Sequence, residues 1–323
     1  MIPIPPAYLN CSVYIYNTKE HAKDGSFTGG SGFLVGVPLE KNVDASQTYV
    51  VTAKHVIENM ANPVLRVNLE QGGCEPLVTN RARWKDHETD DLSVFPIDLD
   101  SKTYKIRCAF ISEFVNAERN AWLYPGDEVF MIGRFFSHEG KEENSPSVRF
   151  GNISMLATET MENKWGKDQQ TFLVEQRSLP GYSGSPVFVF LDPSQPRPPI
   201  WIVASNRIGR VDIKRTGPWL LGIDWVHVND YEPVLDGRNA TSKRVKPEAW
   251  VKSHTGMAGV IPAWRLAELL MDEELVVHRK SEDTRITQEK KASNFLDHES
   301  ADIPVPTPDQ IMREIGKANR NKS

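Results

Sequence analysis

Features that many proteins use are scarce or missing in this chain. Its 323 residues include three cysteines, Cys11, Cys74 and Cys108, an odd number without the short spacings of a metal or disulfide motif. This predicts free thiols in a reducing compartment and a cytoplasmic location. No apolar run approaches the roughly 20 residues that a membrane-spanning helix needs. The first residues lack the basic and apolar regions of a signal peptide, so we expect no membrane association.

The charge balance also narrows the class of ligand. The chain carries 38 Lys and Arg against 43 Asp and Glu, which gives a net charge of -5. Binding of nucleic acid needs a clustered basic surface, and we therefore expect no nucleic-acid partner. Hydrophobic residues make up 39% of the chain, which is enough for an ordinary globular core.

Short segments rich in Val, Ile, Tyr and Phe, separated by turn residues, fill the chain from about 11 to 227. A first group ends near residue 97, and a second group runs from about 128 to 226. Between them, Tyr124-Pro-Gly-Asp127 is a strong turn signal. Strands at this spacing without alternating helices predict antiparallel barrels or sandwiches rather than a parallel sheet.

The C-terminal part of the chain has a different character. Residues 191–199 and 228–253 are polar or rich in proline and predict loops, whereas 263–274 predicts a short amphipathic helix. From 278 to 323 the chain is highly charged and has few aromatic residues. This composition predicts a flexible tail with one short helix near 309–318.

Ser183 is the first candidate for chemistry. It lies in Gly181-Tyr-Ser-Gly184, directly before an apolar strand. Glycines on both sides of a serine allow a tight turn that exposes the hydroxyl and directs backbone N–H groups to one point. A nucleophilic serine needs such an arrangement, although a plain glycine–serine hairpin loop has the same pattern.

Two residues of the first group could activate this serine. His55 follows an apolar strand, where an imidazole can act as a general base facing a cleft or can be an ordinary surface or core histidine. Asp91 opens another apolar strand, where a carboxylate can accept the Nδ1–H of a histidine or simply cap the strand. Asp90 competes for this role, but Asp91 has the better register with the apolar residues. The order His, Asp, Ser is that of chymotrypsin-type enzymes.

The three segments resemble the motifs of the chymotrypsin-fold (trypsin-like) serine peptidases, in particular bacterial intracellular members. Thr52–Val56 resembles the Thr-Ala-x-His motif of that family, and Asp91–Val94 resembles its Asp-Ile/Leu-Ala/Ser-Leu/Val motif. Gly181–Val187 resembles its Gly-x-Ser-Gly-Gly/Ser-Pro motif. The resemblance covers about residues 10–273.

The resemblance implies an all-β fold and a division of the chain. A peptidase domain would occupy residues 1–277. It would contain two six-stranded antiparallel Greek-key β-barrels, at about 10–112 and 120–262, and the C-terminal helix at 263–274. A flexible charged tail would occupy residues 278–323.

The resemblance also implies a role for each candidate residue. Ser183 would attack the scissile carbonyl, His55 would take and return the proton, and Asp91 would orient the imidazolium. The backbone N–H groups of Gly181 and Ser183 would form the oxyanion hole. The substrate would be a protein or a peptide. No metal or organic cofactor is implied, and the chain has neither an HExxH nor a paired-cysteine motif.

Two departures from the family pattern concern activation and specificity. Tyr182 precedes the serine, where zymogen-type members have an aspartate that pairs with a new N-terminus, so activation by N-terminal cleavage is not expected. Arg177 lies six residues before Ser183, at the base of trypsin-like pockets. Pointing inward it would favour acidic side chains at the cut; pointing outward or paired with a glutamate it would not. His227 would support the same preference if it lines the pocket, and otherwise faces solvent.

Partners and other functions stay open at this level. The segments 191–218 and 228–253 and the charged tail are candidate contacts for a regulatory protein, or plain surface insertions. A catalytically silent double barrel used for binding is the alternative to an endopeptidase. An esterase with the same triad is a third function, because a triad does not itself select amides over esters.

Overall fold

Antiparallel β-structure dominates the computed structural model, which describes residues 3–26, 28–134, 140–176, 181–191, 200–204, 207–211, 217–234, 244–246 and 248–301.

The strands form two sets along the chain. Among the described residues the first set has eight strands, namely β1 (Ser12–Tyr16), β2 (Thr28–Pro38), β3 (Ser46–Thr52), β4 (Val64–Asn68), β5 (Cys74–Val78), β6 (Lys85–Asp86), β7 (Ser93–Ile97) and β8 (Ala109–Phe110). Within the same ranges the second set has ten, namely β9 (Glu128–Gly133), β10 (Ser147–Met155), β11 (Thr160–Glu162), β12 (Asp168–Gln170), β13 (Phe172–Glu175), β14 (Pro186–Val189), β15 (Ile200–Ala204), β16 (Arg207–Val211), β17 (Trp219–Pro233) and β18 (Trp250–Pro262).

Helices are short except at the C-terminal end. The α-helices in the described ranges are α1 (Lys19–Asp24), α2 (Lys54–Ile57), α3 (Ala117–Asn120), α4 (Ala263–Leu270) and α5 (Glu273–Ala301). Short 3-10 helices cover Pro6–Cys11, Arg81–Arg83 and Ile111–Glu113. In the part of the chain that the structure describes, none of the helices is both long enough and apolar enough to cross a membrane.

Both strand sets are antiparallel units of the predicted kind. In the second, six strands close a barrel in the order β10-β13-β18-β17-β14-β9, and we call this the second barrel. In the first, the pairing order is β5-β4-β1-β2-β3-β7-β6, with β8 parallel to β2, and we call this the first sheet. The all-β, chymotrypsin-like architecture is thus confirmed. The first sheet has eight strands rather than six, because β6 and β8 have two residues each and leave no alternation pattern in the sequence.

A continuous apolar core joins the two units. One buried cluster contains Phe33 and Val51 of the first sheet, Phe130 and Ile223 of the second barrel, and Leu266 of α4. Burial of apolar surface is the main favourable contribution to folding. The shared core therefore fixes the position of one unit on the other, and with it the loops that meet between them.

The two ends of the segment predicted as a loop at 228–253 are strands that pair as a β-ribbon. β17 and β18 continue past the barrel and pair from Asn229–Pro233 to Trp250–His254. The loop prediction was wrong at both ends because backbone pairing in a long hairpin does not require apolar side chains. Residues 192–199 of the other predicted loop lie outside the described residues.

The C-terminal helices also differ from the prediction. In place of one helix at 263–274, α4 ends at Leu270 and α5 runs from Glu273 to Ala301. The predicted tail is therefore helical as far as residue 301, and the helix predicted near 309–318 lies outside the described residues. Tertiary contacts explain α5: Arg279, only 8% exposed, donates hydrogen bonds to Tyr49 Oη at 3.0 Å and to Leu270 O at 2.7 Å.

Asp283 anchors α5 to the turn between β2 and β3. Its carboxylate accepts hydrogen bonds from Lys41 N at 2.8 Å and from Asn42 Nδ2 at 2.7 Å. Burial acts to raise the pKa of Asp283, but these hydrogen bonds outweigh it and hold the pKa below its usual value. The folded state therefore favours the charged carboxylate.

Replacing Asp283 with alanine should lower the midpoint of thermal unfolding. Because the folded-state pKa lies below the unfolded value of about 3.9, the wild-type advantage is full at neutral pH and shrinks as the pH falls below about 4. Circular-dichroism melts across this pH range measure the effect. Glu282→Ala is the control, since it removes a carboxylate of the same helix whose partner is Arg285 at the surface. Equal losses in both variants would contradict the anchor.

Candidate active site

His55 and Asp91 form a hydrogen-bonded pair at the edge of the first sheet. His55 lies on α2, directly after β3, and Asp91 lies just before β7. The His55 backbone N–H donates to Asp91 Oδ1 at 2.8 Å, and His55 Nδ1 lies 2.6 Å from Asp91 Oδ2. The carboxylate is 3% exposed and the imidazole 27% exposed. A proton on Nδ1 would face the buried carboxylate, and Nε2 would then be the ring nitrogen that can act as a base.

The neighbouring carboxylate of Asp90 has a different partner. It is fully buried and accepts a hydrogen bond from Arg265 Nε of α4 at 2.7 Å. His87 Nδ1 lies 3.8 Å from it. The two adjacent carboxylates therefore have different partners: Asp91 is hydrogen-bonded to His55, and Asp90 is hydrogen-bonded to Arg265.

Ser183 lies in a loop that contacts the first sheet. We call residues 181–185 the nucleophile loop. The Ser31 backbone N–H of β2 donates to Ser183 O at 3.0 Å, and Ser31 Oγ donates to Gly181 O at 2.8 Å. Thr52, three residues before His55, donates from its hydroxyl to Ser31 O at 2.7 Å. Strand β2 thus connects the serine of the second barrel with the segment that carries the histidine.

The other side of the nucleophile loop rests on β17. Gly184 N donates to Asp224 O at 2.8 Å, and Asp224 N donates to Ser185 O at 2.9 Å. Gly181 and Gly184 have φ values of 98° and 88°, in the left-handed region that favours glycine. The glycines that flank Ser183 in the sequence are therefore required by the turn.

Gly30 of β2 marks how closely the two segments approach. A Cβ placed on Gly30 would lie 2.9 Å from Val56 Cγ2 and 3.1 Å from Ser183 O. The residue after His55 and the backbone of Ser183 thus meet at one glycine. The hydrogen bonds formed by the described residues do not include one between the Ser183 hydroxyl and the imidazole, a contact that is often long in unliganded enzymes.

Tyr182 is part of the core of the second barrel. Its side chain is fully buried, its phenol is hydrogen-bonded to the Ser147 hydroxyl, and the guanidinium of Arg149 lies 4.9 Å from its ring. The residue before Ser183 is thus held by a neutral hydrogen bond and by packing, which differs from the ion pair of zymogen-type family members.

The remaining predicted site residues have separate outcomes. Among the described residues, neither the Gly181 nor the Ser183 N–H donates a hydrogen bond. His227 is partly buried on β17, where it pairs with Ala258 of β18. Arg177 lies outside the described residues. Within the described ranges, no group of three His, Cys, Asp or Glu residues is arranged to hold a metal ion.

Polar residues distant in sequence also reach the site and were missed by the sequence analysis. Gln169 of β12 accepts a hydrogen bond from the Asp91 N–H at 2.8 Å. Arg265 of α4 holds the adjacent Asp90. Neither lies in a recognisable motif, because each acts through a tertiary contact that leaves no local pattern.

Gly184→Ala should destabilise the protein much more than Gly126→Ala. Both glycines have left-handed φ values, so each substitution costs about 1–2 kcal/mol in backbone strain. A Cβ on Gly184 would also lie 2.1 Å from Ser31 O and 2.3 Å from Thr52 Oγ1, whereas nothing lies within 4 Å of one on Gly126. We expect this overlap to add roughly 1–3 kcal/mol or more. Urea unfolding measures both; equal losses would mean that the nucleophile loop does not rest on β2.

Comparison with known proteins gives one sequence family and several structural neighbours. A family model described as a trypsin-like peptidase domain matches residues 30–190, a range that includes His55, Asp91 and Ser183. No curated protein matches the chain significantly.

Three solved structures illustrate the neighbours. The apo protease domain of MamO from Magnetospirillum magneticum is 14% identical with a TM-score of 0.45, and the match covers 83% of this chain and 99% of that one. The HtrA-type protease AlgW, as a variant with a tripeptide, is 15% identical with a TM-score of 0.43, and the match covers 82% of this chain and 62% of that one. AlgW with a decapeptide is 14% identical with a TM-score of 0.44, and the match covers 84% of this chain and 66% of that one. This chain thus matches slightly less than two thirds of each AlgW chain.

The assignment rests on the family model and on the architecture of the chain rather than on these distant neighbours. The matched range begins in β2 and ends just after β14. It therefore covers the first sheet except β1 and the first two residues of β2, together with the barrel strands β9, β10, β13 and β14 and the nucleophile loop. The chain belongs to the trypsin-like peptidase family of the chymotrypsin fold.

Proposed function

We propose that the protein is a serine endopeptidase that hydrolyses peptide bonds of protein substrates through His55, Asp91 and Ser183. The observation that carries this proposal is the 2.6 Å contact between His55 Nδ1 and a carboxylate that is 3% exposed. It occurs beside a glycine-flanked serine whose loop is bonded to the same sheet. A buried aspartate in this position orients the imidazole and favours its charged form.

The first half of the reaction would acylate Ser183. His55 Nε2 takes the hydroxyl proton as Ser183 Oγ attacks the scissile carbonyl, and the imidazolium then gives that proton to the leaving amine. The N–H groups of Gly181 and Ser183, which lack an acceptor in the described part of the chain, are the candidate donors to the oxyanion. Removing one such donor typically costs about 10²–10³ in rate.

The second half would release the acyl group. A water molecule replaces the amine, His55 takes its proton, and the same donors hold the second oxyanion. All of these steps use groups from both halves of the chain, because His55 and Asp91 come from the first sheet and Ser183 from the second barrel.

Specificity belongs to the proposal as a finer point. Arg177 precedes Ser183 by six residues, and His227 follows the strand segment that braces the nucleophile loop. A cationic pocket formed by these residues would select acidic side chains at the cut.

Regulation by a partner protein through 191–218, 228–253 or the tail stays a prediction. The cytoplasmic location also stays a prediction.

Labelling with a fluorophosphonate probe tests the nucleophile. Wild-type protein should label, Ser183→Ala should not, and His55→Ala should label at least about 10³-fold more slowly. Ser185→Ala is the matched control, because it removes a buried serine hydroxyl from the same loop and should label like wild type. If wild type labels no better than Ser183→Ala, the peptidase proposal fails and the silent binding module takes its place.

Hydrolysis of a peptide library tests the reaction class and the pocket. We expect cleavage of amide bonds after Asp or Glu, and loss of this preference in Arg177→Ala. Hydrolysis of esters alone would favour the esterase. Preference for basic or apolar residues at the cut would contradict the cationic pocket without affecting the triad.

A further inference from the structure

The backbone N–H of Asp91 has its acceptor in the second half of the chain. Asp91 is 2% exposed, and its N–H donates to Gln169 Oε1 at 2.8 Å. Gln169 lies in the two-stranded hairpin β11–β12, which is not part of the second barrel. A buried N–H needs an acceptor. This hydrogen bond therefore fixes the backbone from which the Asp91 carboxylate projects.

Asn163, at the turn of the same hairpin, supports this contact. Its Nδ2 donates to Gln169 Oε1 at 3.0 Å and to Thr89 O at 2.8 Å. The amides of Asn163 and Gln169, which are 4% and 1% exposed, thus hold the segment Thr89–Asp91 from the second unit.

The unused half of the Gln169 amide indicates what the position requires. Its Nε2 is buried without a partner among the residues that the structure describes, and such a donor costs stability. An apolar side chain would avoid this cost but would leave the Asp91 N–H unpaired. The need for an acceptor for the Asp91 N–H therefore explains why this position holds a glutamine.

The segment that Gln169 holds lies outside the β-ladder. β7 begins only at Ser93, and the turn before it is closed by hydrogen bonds from Leu92 N to Asp90 O at 2.8 Å and from His87 N to Leu92 O at 2.9 Å. The Asp91 carboxylate must meet two donors of His55 at once. A small rotation of this turn would lengthen one of the two bonds.

We propose that Gln169 is a positioning residue for the triad: by accepting the Asp91 N–H, the β11–β12 hairpin directs the Asp91 carboxylate at His55. The inference rests on the proposed function of the Ser183 site. The position of Asp91 beside the first sheet would then depend on the β11–β12 hairpin of the second strand set. Gln169 itself touches no reacting atom.

Two substitutions and one control isolate this role. Gln169→Ala removes the acceptor and should lower kcat about tenfold with KM within about twofold, since the loss of one such hydrogen bond affects orientation rather than binding. Gln169→Glu keeps an acceptor and should retain more activity than the alanine variant. Gln170→Ala is the control, because Gln170 lies next along β12 and accepts its hydrogen bond from Trp264 Nε1 at 2.9 Å.

The NMR signal of the His55 Nδ1–H, recorded in the Ser183→Ala background, reports the hydrogen bond to Asp91 without needing activity. This signal should weaken or move upfield in Gln169→Ala and stay unchanged in Gln170→Ala. If wild type does not hydrolyse peptides but the signal changes in this way, the endopeptidase proposal fails and the positioning role stands. The positioning role is overturned if Gln169→Ala and Gln170→Ala have equal kcat in an active enzyme, or if the folded Gln169→Ala variant keeps the signal of its parent.

Discussion

The hydrogen bonds between Ser31 and the nucleophile loop are the contact on which the candidate site depends. Ser31 N donates a hydrogen bond to Ser183 O, and Ser31 Oγ donates one to Gly181 O. The hydroxyl of Thr52, in the segment that leads to His55, donates to Ser31 O. These bonds determine where a serine of the second barrel lies relative to a histidine of the first sheet. The left-handed glycines and the close approach at Gly30 both follow from this arrangement.

The first sheet and the second strand set each hold candidate triad residues of the other in place. The first sheet supports the loop that carries Ser183, while the β11–β12 hairpin of the second unit accepts the N–H of Asp91. A shared apolar core fixes the relative position of the two strand sets and thereby keeps both contacts in place. Orientation of this kind can provide a large part of a catalytic effect, because well-placed groups avoid the entropic cost of assembling the reacting geometry. Stability at the junction and activity should therefore change together.

The sequence was informative where local backbone chemistry decides the structure. Ser183 could be proposed because its turn needs flanking glycines, and His55 and Asp91 because each adjoins an apolar strand. The structure places His55 and Asp91 in contact. Gln169 and Arg265 could not be found, since their partners lie far away in sequence and their own surroundings have no motif. The same limit explains α5, whose charged composition indicates disorder until Arg279 and Asp283 find partners on the first sheet.

Active-site titration with a chromogenic ester tests most directly whether this junction makes Ser183 a nucleophile. A serine that forms an acyl-enzyme releases the first product in a rapid burst before steady turnover. We expect a burst of about one equivalent per folded chain, and no burst from Ser183→Ala. Absence of a burst in the wild-type protein, or an equal burst in Ser183→Ala, would contradict the account.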